Sequence, residues 1–520
     1  MKKILSLFIL VLFSGIAIGQ NQNLSNGVVF DGEPYLAINP SNAQHMVVAW
    51  MGWKLYSRIV IKTKTSFDGG KTWSSATNLA HDVLSYTSAD PSIEFDQNGD
   101  VFISFIDFTG YNINPLDGAI YVCKSTDGGL NWGSPVEVIS INDDVNKKAI
   151  DRPWISIDRT NGTIYITSMN AKGATAPYNP YLSVSIDGGS TFLPWRYLDT
   201  INWLAGSHIV QPMPTNCIAT NGIFYAVYPS YVASQNMYAQ FILASSNNAG
   251  NSMNYHTVFQ TISGISDSLA KSGYLLRSDP NDANHLAFFY LDDSLGDLDV
   301  FMRESFNAGA QWSSAIRIND DAVSNNRMQD MLWADFDMDG DLVVTWRDRR
   351  NAFGSGYETS YEFYGAFRDN DSTNFSTNFP ISDSPIAYDS LLRSSGNDFM
   401  CVKLNNDTLY SVWGDTRNGK LNIWFQQNSK DGTLVSMKNL TQEESFKIIL
   451  YPNPVNSILT VEAKDIKLIA IFDMLGKNVY TKRYLVPKMK VSLELSSLEK
   501  GNYIIQCETR DGLLMEKFNR

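Results

Sequence analysis

The sequence predicts an all-β chain: a β-propeller of seven blades, in preference to six, followed by a small immunoglobulin-like β-sandwich. Three observations predict it. A turn-forming octet recurs along the first four hundred or so residues. A strand–turn–strand pattern recurs in phase with it, about every 60 residues, the length of one four-stranded blade. After a polar linker the pattern changes to short strands joined by Pro, Gly and Asn turns.

The octet reads Ser66-Phe67-Asp68-Gly69-Gly70-Lys71-Thr72-Trp73, then Ser125 to Trp132 and Ser185 to Phe192, with weaker copies at Ser246 to Met253 and Ser305 to Trp312. Its chemistry is that of a hairpin turn. The Asp or Asn side chain caps backbone N–H groups, the glycines supply positive φ, and the aromatic residue folds back onto the sheet. This pattern resembles the Asp-box (BNR) repeat of the sialidase superfamily. The resemblance implies the propeller fold and says little about activity, because the box lies on the edge away from the active site in that family.

First strands begin at Pro34, Pro91, Pro153, Pro212, Tyr274, Leu332 and Phe399. Seven such starts give seven blades, whereas the well-known sialidases have six. Segments such as Val101 to Phe105, Thr163 to Thr167 and Leu342 to Trp346 alternate and are rich in β-branched and aromatic residues, as half-buried strands are. Val28-Val29-Phe30 is the segment expected to add a strand to the last blade and tie the ring shut.

Four segments follow: a signal peptide at 1–19, the propeller at 20–437, a linker at 438–445 and a C-terminal domain at 446–520. The signal is Lys2 and Lys3, an apolar run from Ile4 to Phe13 too short to span a bilayer, and the small-x-small site Ala17-Ile18-Gly19. No transmembrane segment is expected in the mature chain. The C-terminal run Tyr451-Pro452-Asn453-Pro454, Asp473-Met474-Leu475-Gly476-Lys477, Leu495-Ser496-Ser497-Leu498 and Lys500-Gly501-Asn502-Tyr503 resembles, in order, the type A sorting domain of the type IX secretion system. By that resemblance 446–520 engages the type IX machinery, and the protein is secreted or attached to the outer cell surface. Cys123, Cys217, Cys401 and Cys507 show no metal spacing and read as small buried hydrophobes.

Net charge is −13, with 41 basic against 54 acidic residues. That field disfavours nucleic acid and anionic membranes as partners. The expected partner is an extracellular glycan or protein.

With the Asp-box turns at the bottom, the approaches to the first strands and the loops after the second strands lie on top, where ligands meet propellers. Asp151-Arg152-Pro153-Trp154, Arg347-Asp348-Arg349-Arg350, Asp415-Thr416-Arg417 and Asp107 fall there. Arg152, Arg350 and Arg417 are candidates to grip a carboxylate bidentately, and Asp107 or Asp151 to move a proton. Trp154, Asp348 and Asp415 are candidate ligand contacts. The aromatic-x-Asp pattern recurs in several blades, so it also has an architectural reading.

A sialidase needs more. Ser57-Arg58-Ile59-Val60 lacks the proline of the family's Arg-Ile-Pro motif and reads as mid-strand. No nucleophile is assigned from Tyr357, Glu358, Tyr361 or Glu362. No Ser-His-Asp motif appears. His45 and His285 occupy equivalent turns, which argues for structure. No cofactor is expected. Asp335-x-Asp337-x-Asp339-Gly340-Asp341 opens like a calcium loop, but Trp346 stands where the closing Glu belongs, so calcium is the secondary reading. Two functions follow: a surface propeller that binds glycans or proteins at its top face, or a sialidase-like glycosidase.

Overall fold

The computed structural model describes residues 21–54, 58–111, 114–144, 147–261, 273–355, 359–387, 397–433, 448–474, 477–509 and 513–520. The expected signal peptide and linker, with Ser57, Tyr357 and Glu358, lie outside these residues. Residues 21–433 and 448–520 belong to two separate compact units.

The first unit is seven four-stranded antiparallel sheets. In blade 1, Asp31–Asn39 pairs with Asn42–Lys54, then Arg58–Ser66, then Thr77–Asn78. Each first strand touches the first strand of the next blade, and Cys401–Asn405 of blade 7 returns to touch Asp31–Asn39. The first strands therefore surround a central axis, which is a seven-bladed propeller. Their neighbours supply the buried core: Leu36, Val47, Ile93, Ile103, Leu276 and Val344 are all sealed from solvent.

Closure differs from expectation. The strand that completes blade 7 is Gln22–Asn23, paired with Trp424 and Phe425. Phe30 makes only a single bridge to Leu421, and Val28 and Val29 are exposed. Backbone pairing and the polar side chains of Asn21 and Asn23, bonded to Gln426 and Asn422, hold this closing strand, so it needs no alternating apolar pattern.

The Asp boxes share one bonding scheme. Asp68 Oδ1 accepts the Thr72 amide at 2.9 Å, and Ser66 Oγ accepts the Gly70 amide at 2.8 Å. The same bonds recur at Asp127, Asp187, Asn248 and Asn307. Gly69 and Gly70 hold φ of 73° and 84°, which an L residue adopts only with strain. The Gly69 amide donates to Gln44 O, and the Ala308 amide to Asn284 O, so box and first turn share one face. His45 and His285 sit in those turns, stacked on Phe67 and Phe306 with ring centroids 4.6 and 4.4 Å apart. Burial opposes a charge on His285, but Asp279 and Glu304, each at 2.9 Å, outweigh it and push its pKa up to about 9. The four cysteines are buried and unbridged.

The second unit is a five-stranded antiparallel sheet. Its long strand Ile458–Asp473 pairs at one end with Ile449–Tyr451 and at the other with Asn502–Glu508, while Asn478–Glu494 runs along its length. Register shifts near Glu462 and Ile466 divide the ladder into two halves around Leu459, Val461, Ile469, Ile471 and Phe518. Bulges of this kind let one strand serve two packed layers.

Candidate functional site

The site is built from irregularities in the first strands. Blades 1, 2, 3 and 6 each carry a register shift at the top of that strand: Gly32/Tyr35, Ala89/Ser92, Asp151/Trp154 and Asp330/Trp333. Within these bulges Glu33, Asp90, Arg152 and Met331 have φ of 54°, 53°, 50° and 49°, and Gln211 in blade 4 has 61°. Four of these residues precede a proline, which has no amide to offer the ladder and is tolerated at a bulge. Left-handed backbone at non-glycine residues costs about 1–2 kcal/mol each, and its repetition around one axis marks a designed feature.

The bulges converge side chains on the top of the channel. Arg152 is 1% exposed and holds Asp398 of blade 7 at 2.5 Å, while its amide donates to Asp90 at 3.2 Å. Its guanidinium lies 4.4 Å from the centre of the Phe399 ring. Burial opposes that charge, but Asp398, Asp90, Asp151 and Glu33 raise the Arg152 pKa further still. Glu33 is 3% exposed, and its Oε2 is buried with no hydrogen-bond partner. Burial, then Asp90 and Asp398, hold its carboxyl well above the usual carboxylate range. The Asp398 side chain, 41% exposed, is the member of the cluster that meets solvent.

An aromatic layer lies beneath. Trp154 packs 5.7 Å from Trp333 and 6.2 Å from Phe399, and Tyr35 meets Trp333 edge-on at 5.3 Å. Trp154 is therefore part of the channel's plug, not of an open surface.

The other expected residues go elsewhere. Arg350 donates to Asp348 at 3.0 Å, reaches Asp320 at 2.6 Å and stacks 4.5 Å from the Tyr364 ring. Arg417 repeats this one blade on, with Asp415 at 2.8 Å, Asp383 and the Trp424 ring at 4.5 Å. Trp346 and Trp413 complete the motif by donating their indole N–H to Asp348 and Asp415. Asp320 and Asp383 follow the outer strands of the preceding blades, so each arginine straps two blades together near the rim. Neither shares a partner with Arg152.

Asp151 accepts the Gln211 amide and links blades 3 and 4. Buried Asp107 accepts from His81 Nδ1 at 2.6 Å and Ser88 Oγ at 2.9 Å. The fold thus assembles a Ser, His and Asp that sequence spacing did not show. A nucleophilic triad needs the imidazole between serine and carboxylate, bonded through opposite nitrogens. Here both residues bond the same Asp107 oxygen, and His81 Nε2 is buried without a partner. Arg58 begins its strand instead of lying mid-strand.

At the calcium-like loop, oxygens of Asp339, Asp341 and Asp407 lie within 4.8 Å of one another. Lys430 engages Asp341, Asp369 at 2.7 Å and Asp407 at 2.8 Å. Its ammonium supplies the positive charge that a cation would bring. Asp335 is turned away, accepting the Leu404 amide at 3.0 Å.

Sequence reading missed Glu33, Asp90 and Asp398. The available signal was position: each stands immediately before a first-strand start, as Arg152 does. It also missed the buried pairing of Asp330 with Arg347 at 2.5 Å and Arg349 at 3.1 Å.

Comparison with known proteins covers the two units separately. Residues 449–519 match the secretion system C-terminal sorting domain family. No curated protein matches the chain. Among solved structures, the chain is similar to an α-L-arabinanase of Penicillium chrysogenum, with 12% identity and a TM-score of 0.42 over 80% of this chain and 99% of that one. It is also similar to a protein of unknown function from Dyadobacter fermentans, at 16% identity and a TM-score of 0.42 over 67% and 99%. For the NanB sialidase of Streptococcus pneumoniae the figures are 11% and 0.39 over 80% and 70%. Ring and tail together make this a seven-bladed β-propeller followed by a secretion system C-terminal sorting domain. Its C-terminal sorting domain implies export through the type IX machinery.

Proposed function

We propose that the propeller works outside the cell as a glycan-binding module whose site is the axial mouth of the top face. The observation that supports this reading is the convergence of Glu33, Asp90 and Asp398 around Arg152. Asp398 offers solvent a carboxylate, the natural acceptor for sugar hydroxyls, and Arg152 fixes its position from below. The sequence features from Lys2 to Gly19 fit a signal peptide that starts this export.

A second reading is glycoside hydrolysis. It is favoured by one observation: the buried Glu33 carboxyl, held well above the usual carboxylate range, stands beside Asp90 and Asp398, and glycosidases work with paired carboxyl groups. Burial of Glu33 beneath the opening favours binding over catalysis.

The test is a glycan array and a panel of fluorogenic glycosides, with the full chain and its Asp398→Asn variant. Binding without turnover, weakened about tenfold or more in the variant, supports the module. Turnover that collapses in Asp398→Asn supports the enzyme. Neither binding nor turnover sinks both readings.

A further inference from the structure

A cavity lies away from the mouth. It occupies the lower channel, about 380 Å³, and opens among the first turns on the Asp-box face. The aromatic layer containing Tyr35 and Trp154 forms its roof, so it is a separate chamber from the top-face site.

Arg277 lines this chamber. Its Nε donates to Ala334 O at 2.8 Å and its Nη1 to Leu276 O at 3.1 Å, with the guanidinium 5.2 Å from the Trp333 ring centre. Both hydrogen-bond partners are neutral carbonyls, and Nη2 donates to no group among the described residues. An arginine set against an aromatic ring with one nitrogen unspent is ready for a carboxylate. Asp335 and Glu94 also line the chamber; Lys403 stands 3.5 Å from Asp335, and Glu94 is paired with Arg159 at 2.6 Å. Burial raises the Asp335 pKa even though Lys403 and Arg277 pull it down, so its charge is under-compensated.

The mixture selects the ligand. A bare anion placed on Arg277 would meet the field of Asp335. A bare cation would leave Arg277 without a partner. A zwitterion satisfies both, and the Tyr35 and Trp154 roof suits an apolar side chain. We propose that this chamber is a second binding site, for a small zwitterion of the amino-acid class, with its carboxylate on Arg277 and its ammonium toward Asp335.

The test is calorimetry and tryptophan fluorescence on the full chain with three matched probes: L-leucine, 4-methylpentanoate, which lacks the ammonium, and isoamylamine, which lacks the carboxylate. Leucine is expected to bind at about millimolar concentration or tighter, and each truncated probe about tenfold more weakly. Arg277→Gln should weaken leucine about tenfold without weakening isoamylamine, and Asp335→Asn should weaken leucine without weakening 4-methylpentanoate. Thermal unfolding establishes that each variant is folded, and Arg277→Lys, which keeps the charge and loses the fork, replaces Arg277→Gln if that one is not. Equal binding of leucine and either truncated probe overturns the zwitterion assignment. Absence of saturable binding by any probe, or leucine binding indifferent to both substitutions, overturns the site. The top-face reading is untouched by either result, because Asp398→Asn probes the other side of the aromatic layer.

Discussion

Arg152 and the pair Arg350 and Arg417 look alike in the sequence: each stands near an aromatic residue and an aspartate at the top of a blade. The fold separates them. The rim arginines repeat one motif in adjacent blades, Trp-x-Asp-x-Arg, with the same partners in the same order. Arg152 has no counterpart of its own kind; its equivalents around the axis are Glu33, Asp90, Gln211, Met331 and Asp398. Repetition of residue type tracks architecture, because every blade must be tied to its neighbour. Repetition of backbone geometry with changing residue type tracks a site, because each blade contributes a different group to one point.

The sharpest way to break this comparison is Arg152→Ala. It leaves Asp398, Asp90 and Glu33 clustered without their cation and opens a cavity against Phe399 and Met213. Removing one partner of a buried ion pair costs about 3–5 kcal/mol. Urea unfolding measures it. Asp398→Asn in the same chain should recover part of the loss, since the excess negative charge falls; no recovery would mean that packing, and not charge, is what Arg152 provides.

Glu33→Gln sharpens the comparison in the opposite direction. The folded pKa of Glu33 lies above its unfolded value of about 4.5, so the folded state retains a proton that the unfolded chain releases. Its contribution is therefore present below about pH 4.5 and is lost as pH rises toward the folded pKa. Glutamine keeps the shape and removes that loss. We expect Glu33→Gln to be more stable by about 1 kcal/mol or more at pH 7–8 and little changed at pH 4, as judged by thermal unfolding at each pH. A variant less stable at every pH would show that the Glu33 carboxyl is satisfied, and the axial cluster would then be architecture as well.

The same contrast explains what was legible beforehand. Seven blades followed from the Asp-box turns and the spacing of first strands, because both depend on local chemistry: a capping aspartate, two positive-φ glycines and an alternating strand. The rim motif was legible as a repeat, with both of its readings. The axial cluster was only partly so. Arg152 stood out as unusual, but Glu33-Pro34, Asp90-Pro91 and Asp398-Phe399 lie far apart in sequence, and only ring closure brings them together. Closure by Gln22–Asn23 was hidden for a different reason, since backbone pairing and asparagine side-chain bonds leave no alternating apolar pattern. Lys430 was hidden too: it reaches the Asp339–Asp341 turn from blade 7, so the loop alone read as a cation site.

Arg350→Ala and Arg417→Ala carry the smallest expected effects and the most direct test of the division. Each removes one partly solvated ion pair, with Asp320 or Asp383, and one to a carboxylate sealed from solvent, Asp348 or Asp415. Each also uncovers one aromatic face, Tyr364 or Trp424. The partly exposed pair contributes about 0–1 kcal/mol and the stacking about 0.5–1 kcal/mol more, while each sealed carboxylate keeps its tryptophan indole N–H and a backbone amide after the arginine side chain is gone. Stability should fall by a similar small amount in both variants, since the two straps are equivalent, and glycan binding at the mouth should be unchanged. If either substitution abolished binding while leaving thermal unfolding intact, the rim would belong to the site. The three arginines would then form one broad surface across blades 3, 6 and 7, and the repeated motif would have been recruited for recognition after serving as a strap.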